Sequence, residues 1–426
     1  MTRTIGEWRR AMLLAVPIVI FSGLSAQQLM ASVVAVGTCV PNVVRFTTIQ
    51  AAVKAVPPGS TIKVCPANYP EQVVINKNLT LTGVSSGNAD NPVLVIPSGG
   101  FVPNTTSLTS GHPIAAQILV QSPATAVTIS NLAVDGSNNN LNSGCDDAPL
   151  IGIYYQNASG RVDFVVARNQ AQDAANFGCQ TSAGLGIFVQ SASPSTSTVA
   201  VQNSTVRGYQ KNGVTGNEGG TTVTINGNSV VGAGPTTTAQ NGIQVGFGAT
   251  GKVQNNTVAD DDFNGDPAAG TGSGILIFDS GNMTITANSV TNTQNGIAIV
   301  TDGALPADNN TVANNHVADT HLGDGIDLCS NNNTVTANVA FSSGQAGIHL
   351  DSSCGSTGNG NTVSKNTVNQ ACVGILLGSG TGNSFPMPNF VANVANKTLA
   401  GDVCSPTVPT GRRVDLQAQD SRPARP

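Results

Sequence analysis

Basic residues are sparse in this chain, tryptophan is almost missing, and charged residues of every kind amount to only 10%. Between Phe46 and Gly411 there are only three arginines, Arg161, Arg168 and Arg207, and seven lysines. That rules out a basic surface for nucleic acid. Aromatics make up 4%, and the one tryptophan is Trp8. The rest of the chain therefore has no indole on which a sugar ring could stack. The eight cysteines include no Cys-x-x-Cys pair, which removes the usual zinc and redox motifs. Beyond the N-terminal segment, no apolar run is long enough to span a bilayer. What the chain has in plenty is glycine, 48 residues of 426, together with Asn, Thr, Ser and Val. These residues suit turns and short strands. An apolar content of 39% is too high for a disordered chain.

The first residues read as an export signal. Arg3, Arg9 and Arg10 precede an apolar run over residues 11–21, and small residues follow. We expect a signal over residues 1–26, cleaved after Ala26 or, as second choice, after Ala35; the alternative is an uncleaved anchor. The mature part is then a monomer without a membrane span, secreted, periplasmic or at the cell surface. An even number of cysteines in an exported chain suggests disulfides. Nearest-neighbour pairing gives Cys39–Cys65, Cys145–Cys179, Cys329–Cys354 and Cys372–Cys404, with separations of 26, 34, 25 and 32 residues. From Ser405 to residue 426 the chain is Pro-rich and polar and reads as a disordered tail. The folded domain is expected over 39–404.

A Gly-Ile or Gly-Val pair recurs at Gly152, Gly186, Gly213, Gly242, Gly274, Gly296, Gly325, Gly347 and Gly374, at spacings of 22 to 34 residues. A second beat, Asn-x-Val or a near variant, falls at Asn203, Asn228, Asn256, Asn288, Asn315, Asn338, Asn366 and Asn393. Two interleaved beats at one period mark a solenoid whose repeat holds at least two short strands. The cysteine separations match this period, so each disulfide would tie one coil to the next. Segments such as Gly-Ile-Leu-Ile at 274–277 alternate faces with period two. Such units bury a face only by stacking on each other, with parallel strands about 4.8 Å apart. Asparagine suits the turns because it tolerates left-handed backbone angles and can ladder its amides. An open end would expose strand edges, and the sequence offers a short helix there. Thr47 or Thr48 can cap it, Ile49, Ala52, Val53 and Val56 share a face, and Pro57-Pro58-Gly59 ends it. The expected fold is all-β, a right-handed parallel β-helix with a short N-terminal capping helix.

The run Thr-Ile-Gln-Ala-Ala-Val-Lys-Ala-Val-Pro-Pro-Gly-Ser-Thr-Ile-Lys-Val-Cys-Pro at 48–66, then Tyr69, Glu71 and Asn78-Leu-Thr-Leu-Thr-Gly83, resembles the entry segment of pectin-lyase-like β-helix proteins. The repeats from Val127 onward resemble that superfamily's generic coil. The resemblance covers about residues 46 to 400 and implies the fold. It implies no one activity, because the fold hosts lyases, hydrolases, esterases, epimerases and non-enzymes. The esterase pattern is broken: Asp163-Phe164-Val165-Val166-Ala167 is present, but Gln172-Asp173 follows instead of preceding it, and no Arg-x-Trp exists. Gly323-Asp324-Gly325-Ile326-Asp327 echoes the polygalacturonase pattern without its Gly-His-Gly or Arg-x-Lys. The Asp-Pro-His element of one epimerase group is absent, since Ala268 follows Asp266-Pro267.

Stacking arithmetic supplies the candidate sites. In Gly-Ile-x-apolar, x points outward. Asp327 and His349 occupy x on neighbouring coils, with bases roughly 5 Å apart. Asp351 flanks His349 on the same face, Asp324 precedes Asp327, and the Cys329–Cys354 bond would lock the two coils together. Asp324, Asp327, His349 and Asp351 are the candidate catalytic group, since acids beside an imidazole do acid–base work on a glycosidic bond or a C5 proton. The other readings are a Ca2+ site and a solvated polar face. His316 and His321 lie just before. Tyr154, Gln156, Phe188 and Gln190 form a second outward strip, either for sugar binding or plain ladder stacking. Asp260, Asp261, Asp262 and Asp266 crowd one segment as a candidate metal loop. Two functions follow: a protein that binds or modifies an extracellular polysaccharide or cell-surface glycan, as hydrolase, lyase or epimerase, or a non-catalytic structural solenoid.

Overall fold

The computed structural model describes residues 30–400, apart from 86–90, 142–143, 173–177, 181–182, 266–269, 304, 393 and 395. The expected signal, the tail after Ser405, and Asn393 lie outside the described residues. Each coil contributes strands to three parallel ladders that run the length of the chain. One ladder forms a sheet of thirteen strands, from Val44–Phe46 and Val33–Val36 to Thr362–Ser364. The other two are joined in a sheet of twenty-three strands. Pairing is parallel among the described strands except where Thr105–Thr106 meets Pro113–Gln121. The chain is thus an all-β parallel β-helix. The one described helix, Ile49–Ala55, is capped by Thr48, whose side chain accepts from Ala51 N, and it buries Ile49, Ala52 and Val53. The first strand, Val33–Val36, precedes the expected domain start at Cys39, and Ala35 and Val36 are fully buried.

The Gly-Ile beat has a steric cause. The isoleucine points into a continuous core that includes Ile153, Ile187, Ile243, Ile275, Ile297, Ile326 and Ile348. The glycine before it has no room for a side chain. A Cβ on Gly296 would lie 2.2 Å from Val317 Cγ1 and 2.4 Å from the Gly325 carbonyl oxygen. The Asn beat has an energetic cause. Asn228, Asn256, Asn288, Asn315, Asn338, Asn366 and Asn389 stack inside one corner, each Nδ2 donating to the next Oδ1 at 2.9–3.0 Å. Each of these acceptor Oδ1 atoms also accepts the main-chain N–H of the ladder asparagine one coil earlier. Buried amides with every group bonded rigidify a corner that bare polar groups would weaken. The residue before each ladder amide from Asn228 to Asn366 is left-handed, as at Asn255 (φ 56°) and Asn314 (φ 57°). Asn203 proves to be one of these turn residues (φ 49°), and Ser204 holds the ladder position there, its N–H donating to Asn228 Oδ1.

Disulfides join Cys39 to Cys65, Cys145 to Cys179 and Cys329 to Cys354, each between successive coils. Cys404, the expected partner of Cys372, lies outside the described residues. No helix among the described residues is long and apolar enough to cross a membrane.

Candidate functional site

The site is built by two strands. Ile326–Cys329 sends Ile326 and Leu328 into the core, and Val339–Leu350 sends Ile348 and Leu350 there. The residues between them, Asp327 and His349, therefore face outward, and they are register partners. Asp324 reaches the same place from just before its strand, and Asp351 from just after Leu350. The Cys329–Cys354 disulfide flanks them.

His349 is the hub. Its Nδ1–H donates to Asp324 Oδ2 at 3.0 Å and lies 3.7 Å from Asp327 Oδ1. Its Nε2 is 3.9 Å from Asp351 Oδ1. Asp324 is fixed in turn, since its Oδ1 accepts from Ala346 N at 2.8 Å and its own N–H donates to Asn295 Oδ1 at 3.2 Å. Asp351 accepts from Ser353 N and Ser353 Oγ at 2.8 and 2.9 Å. Side-chain exposure is 10% for His349, 0% for Asp324, 1% for Asp327 and 5% for Asp351. Burial alone would lower the imidazole pKa, but Asp324, Asp327 and Asp351 outweigh it and raise the value to about 9. The ring is thus an imidazolium at neutral pH. With Nδ1 tied to Asp324, Nε2 is the atom free to exchange a proton, and Asp351 is the carboxylate beside it.

Among the described residues, Asp324, Asp327 and His349 form the one group of three or more His, Cys, Asp or Glu side chains able to converge on a cation, their ligand atoms lying within 4.8 Å of one another. The set does not fit Ca2+, which takes six to eight oxygen ligands. Two carboxylates supply at most four of these oxygens, and the imidazole supplies none.

The other sequence-derived sites change in character. Tyr154, Gln156, Phe188 and Gln190 do share the outer face, but they are closed off rather than accessible, at 0%, 7%, 2% and 0% exposure. Tyr154 stacks on Phe188 with ring centroids 4.8 Å apart and donates to Gln190 Oε1 at 2.7 Å. Thr105–Thr106 lies against Gln156, with Thr105 Oγ1 and the Thr106 carbonyl both bonded to it, and Tyr154 and Phe188 pack with Ile114, Ala116, Leu119 and Ile151. The strip is an outer packing layer. The acidic segment is also corrected. Asp260, Asp261 and Asp262 sit on a strand, Thr257–Phe263, and point apart. Asp260 accepts from Asn292, Asp261 from the Tyr209 hydroxyl, and Asp262 pairs with His321 at 2.8 Å. Asp266 lies outside the described residues. His321 is thus engaged elsewhere, and His316 is exposed on the Asn-beat ladder, so neither joins His349.

Three features escaped the sequence reading. Leu276, Phe278, Ala298 and Val300 form an apolar patch with Cys329 on the outer face, directly before the acid–imidazole group. Leu276 and Ala298 occupy x of the Gly-Ile repeat, and Phe278, Val300 and Cys329 lie two residues further on, so adjacency along these outward positions was the signal. Asp261 is fully buried against Tyr209, and burial raises both groups well above their ordinary values. Burial lowers Lys211 to about 7. Nothing in the sequence marks either of these two sites.

A family model described as "right handed beta helix region" matches residues 238–386. Among curated proteins, none matches significantly. In the solved structures, the A-module of the mannuronan C-5 epimerase AlgE4 of Azotobacter vinelandii is similar, with a TM-score of 0.55 at 12% identity over 83% of this chain and 94% of that one. The periplasmic alginate epimerase AlgG gives 0.49 at 15% identity over 83% of each chain. The Dettilon tailspike protein gives 0.48 at 15% identity over 79% of this chain and 62% of that one. The chain is a right-handed parallel β-helix. The likeness is one of fold and singles out no enzyme family.

Proposed function

We propose that this protein is exported, binds a polysaccharide along the outer face of the Gly-Ile ladder, and performs acid–base chemistry on it with Asp324, Asp327, His349 and Asp351. The observation that carries the reading is the convergence of three carboxylates on one outward imidazole from two disulfide-tied coils. His349 Nε2 donates its proton to the glycosidic oxygen as the C–O bond breaks, Asp324 positions the ring, Asp327 and Asp351 stabilise the positive charge developing at the anomeric carbon, and a water adds to that carbon, its proton passing through Asp351 back to His349. The fold shared with a mannuronan epimerase module supports a glycan as the partner.

Charge argues for an uncharged sugar rather than a uronate. Between residues 253 and 364 there is no Lys or Arg, while eleven Asp residues occur. A uronate at the site would meet three carboxylates and one imidazolium. Two like charges 4 Å apart cost about 1 kcal/mol in bulk water and about 4 kcal/mol near a protein surface. Cleavage of a neutral glycan avoids that cost, whereas lyase and epimerase chemistry incurs it.

The test is a screen of the full-length protein against neutral glucans, galactans and mannans beside pectins and alginates, with and without calcium. Release of new reducing ends from a neutral polysaccharide, lost in His349→Gln and Asp327→Asn, is the expected result. A second reading, a non-catalytic rod, is favoured by one observation: the group is almost closed to solvent. No turnover and no binding across the panel would establish the rod instead.

A further inference from the structure

The first described coils differ in charge from the chain as a whole. Residues 31–83 hold Arg45, Lys54, Lys63 and Lys77 against the single acid Glu71, a local balance of four minus one, or +3, in a protein of net −5. A cavity of about 540 Å³ opens among these first coils, far in sequence from His349, and Arg45, Phe46, Thr47, Asn68, Tyr69 and Glu71 line it. That volume is in the range of small-ligand sites.

The lining side chains divide by what they already do. Both Glu71 oxygens are engaged, accepting from Ile49 N at 2.8 Å and Gln50 N at 3.0 Å. Tyr69 is fixed by its hydroxyl, which donates to the Cys65 carbonyl at 2.7 Å, so its ring is a rigid wall. The Cys39–Cys65 disulfide holds the strand beneath it. Phe46 is half-buried and Arg45 is exposed, its Nη2 making a long contact of 3.4 Å to the Val40 carbonyl. Thr47 and Asn68 are exposed. The cavity therefore offers a cation, the half-buried ring of Phe46 above the buried Tyr69, and exposed hydroxyl and amide groups.

We propose that this cavity binds a carboxylate-bearing sugar unit. Arg45 meets the carboxylate as a charge-assisted fork, Phe46 and Tyr69 back the ring, and Thr47 and Asn68 meet its hydroxyls. The site is separate from the acid–imidazole group and of opposite charge preference. It would tether the protein by an acidic glycan while the acidic outer face handles a neutral one. The surrounding positive charge attracts polyanions and weakens with salt.

The experiment is calorimetric titration of the full-length protein with glucuronate, galacturonate, polygalacturonate and glucose, at low salt and at 0.5 M salt. Uronate binding without glucose binding is expected, with affinity falling several-fold in high salt. Arg45→Gln should weaken binding tenfold or more and leave the melting temperature unchanged, since Arg45 is exposed. Phe46→Ala should weaken the uronates too. Binding of polymer and monomer alike assigns the site to a single sugar unit, and binding of polymer alone assigns it to a chain of them; both support the proposal. No uronate binding, equal glucose binding, or an Arg45→Gln variant with unchanged affinity would overturn it.

Discussion

Replacing Asn288 by Ala probes the corner ladder at a fully bonded position. Its Oδ1 accepts from Asn256 N and Asn256 Nδ2, both at 3.0 Å, and its Nδ2 donates to the Val253 carbonyl at 3.0 Å and to Asn315 Oδ1 at 2.9 Å. Truncation removes all four bonds at a site that is 2% exposed. Asn256 Nδ2 keeps the Ile225 carbonyl, and Asn315 Oδ1 keeps the Asn288 N–H. The Asn256 N–H and the Val253 carbonyl each lose a partner in the interior. At about 1–3 kcal/mol for each such group, the loss is on the order of 3 kcal/mol. Urea unfolding followed by circular dichroism reads it as a shift in midpoint at constant slope. Asn255→Ala is the control. Asn255 is exposed and its side chain makes one bond, to Asn226 Oδ1, and Ala287 adopts the same left-handed angle in the next coil (φ 56°). That control should cost under about 1 kcal/mol. Equal losses in the two variants would refute the ladder as the source of corner stability.

Three further outcomes follow. Gly274→Ala places a Cβ 2.3 Å from Val290 Cγ1 and 3.0 Å from the Gly296 carbonyl oxygen; we expect a loss of about 1–3 kcal/mol, partly recovered in the double variant with Val290→Ala, measured by thermal unfolding. Cys354→Ser opens a loop of 25 residues, and loop-closure entropy sets the loss at about 3 kcal/mol, read from urea midpoints. The folded His349 pKa of about 9 lies above its ordinary 6.5, so its contribution is fully present below pH 6.5 and is lost as pH rises through 9; melting temperature should fall across that window, and His349→Gln should flatten the decline.

Much of the fold was legible because solenoid stacking turns period into position. Once Gly-Ile fixed which side chains faced inward, Asp327 and His349 had to be neighbours, and Asp351 had to flank them. Burial was not legible, because it depends on segments that fold over the face. Tyr154 and Phe188 are outward by the alternation rule, yet they are buried in an outer apolar cluster with Ile114, Ala116, Leu119 and Ile151. The acids at 260–262 read as one loop because sequence proximity conceals alternation, and on a strand successive side chains diverge. Asn203 was placed one residue off because turn and ladder positions both accept asparagine. Only hydrogen bonding across coils distinguishes them.

Titration of the four histidine rings by nitrogen-15 NMR, in the wild-type protein and in Asp324→Asn, goes straight to the geometry on which the account stands. One imidazole should titrate near pH 9, and the asparagine variant should bring it down toward the ordinary value. A His349 that titrates near 6.5 and ignores the substitution would mean that the neighbouring coils do not gather their carboxylates around it.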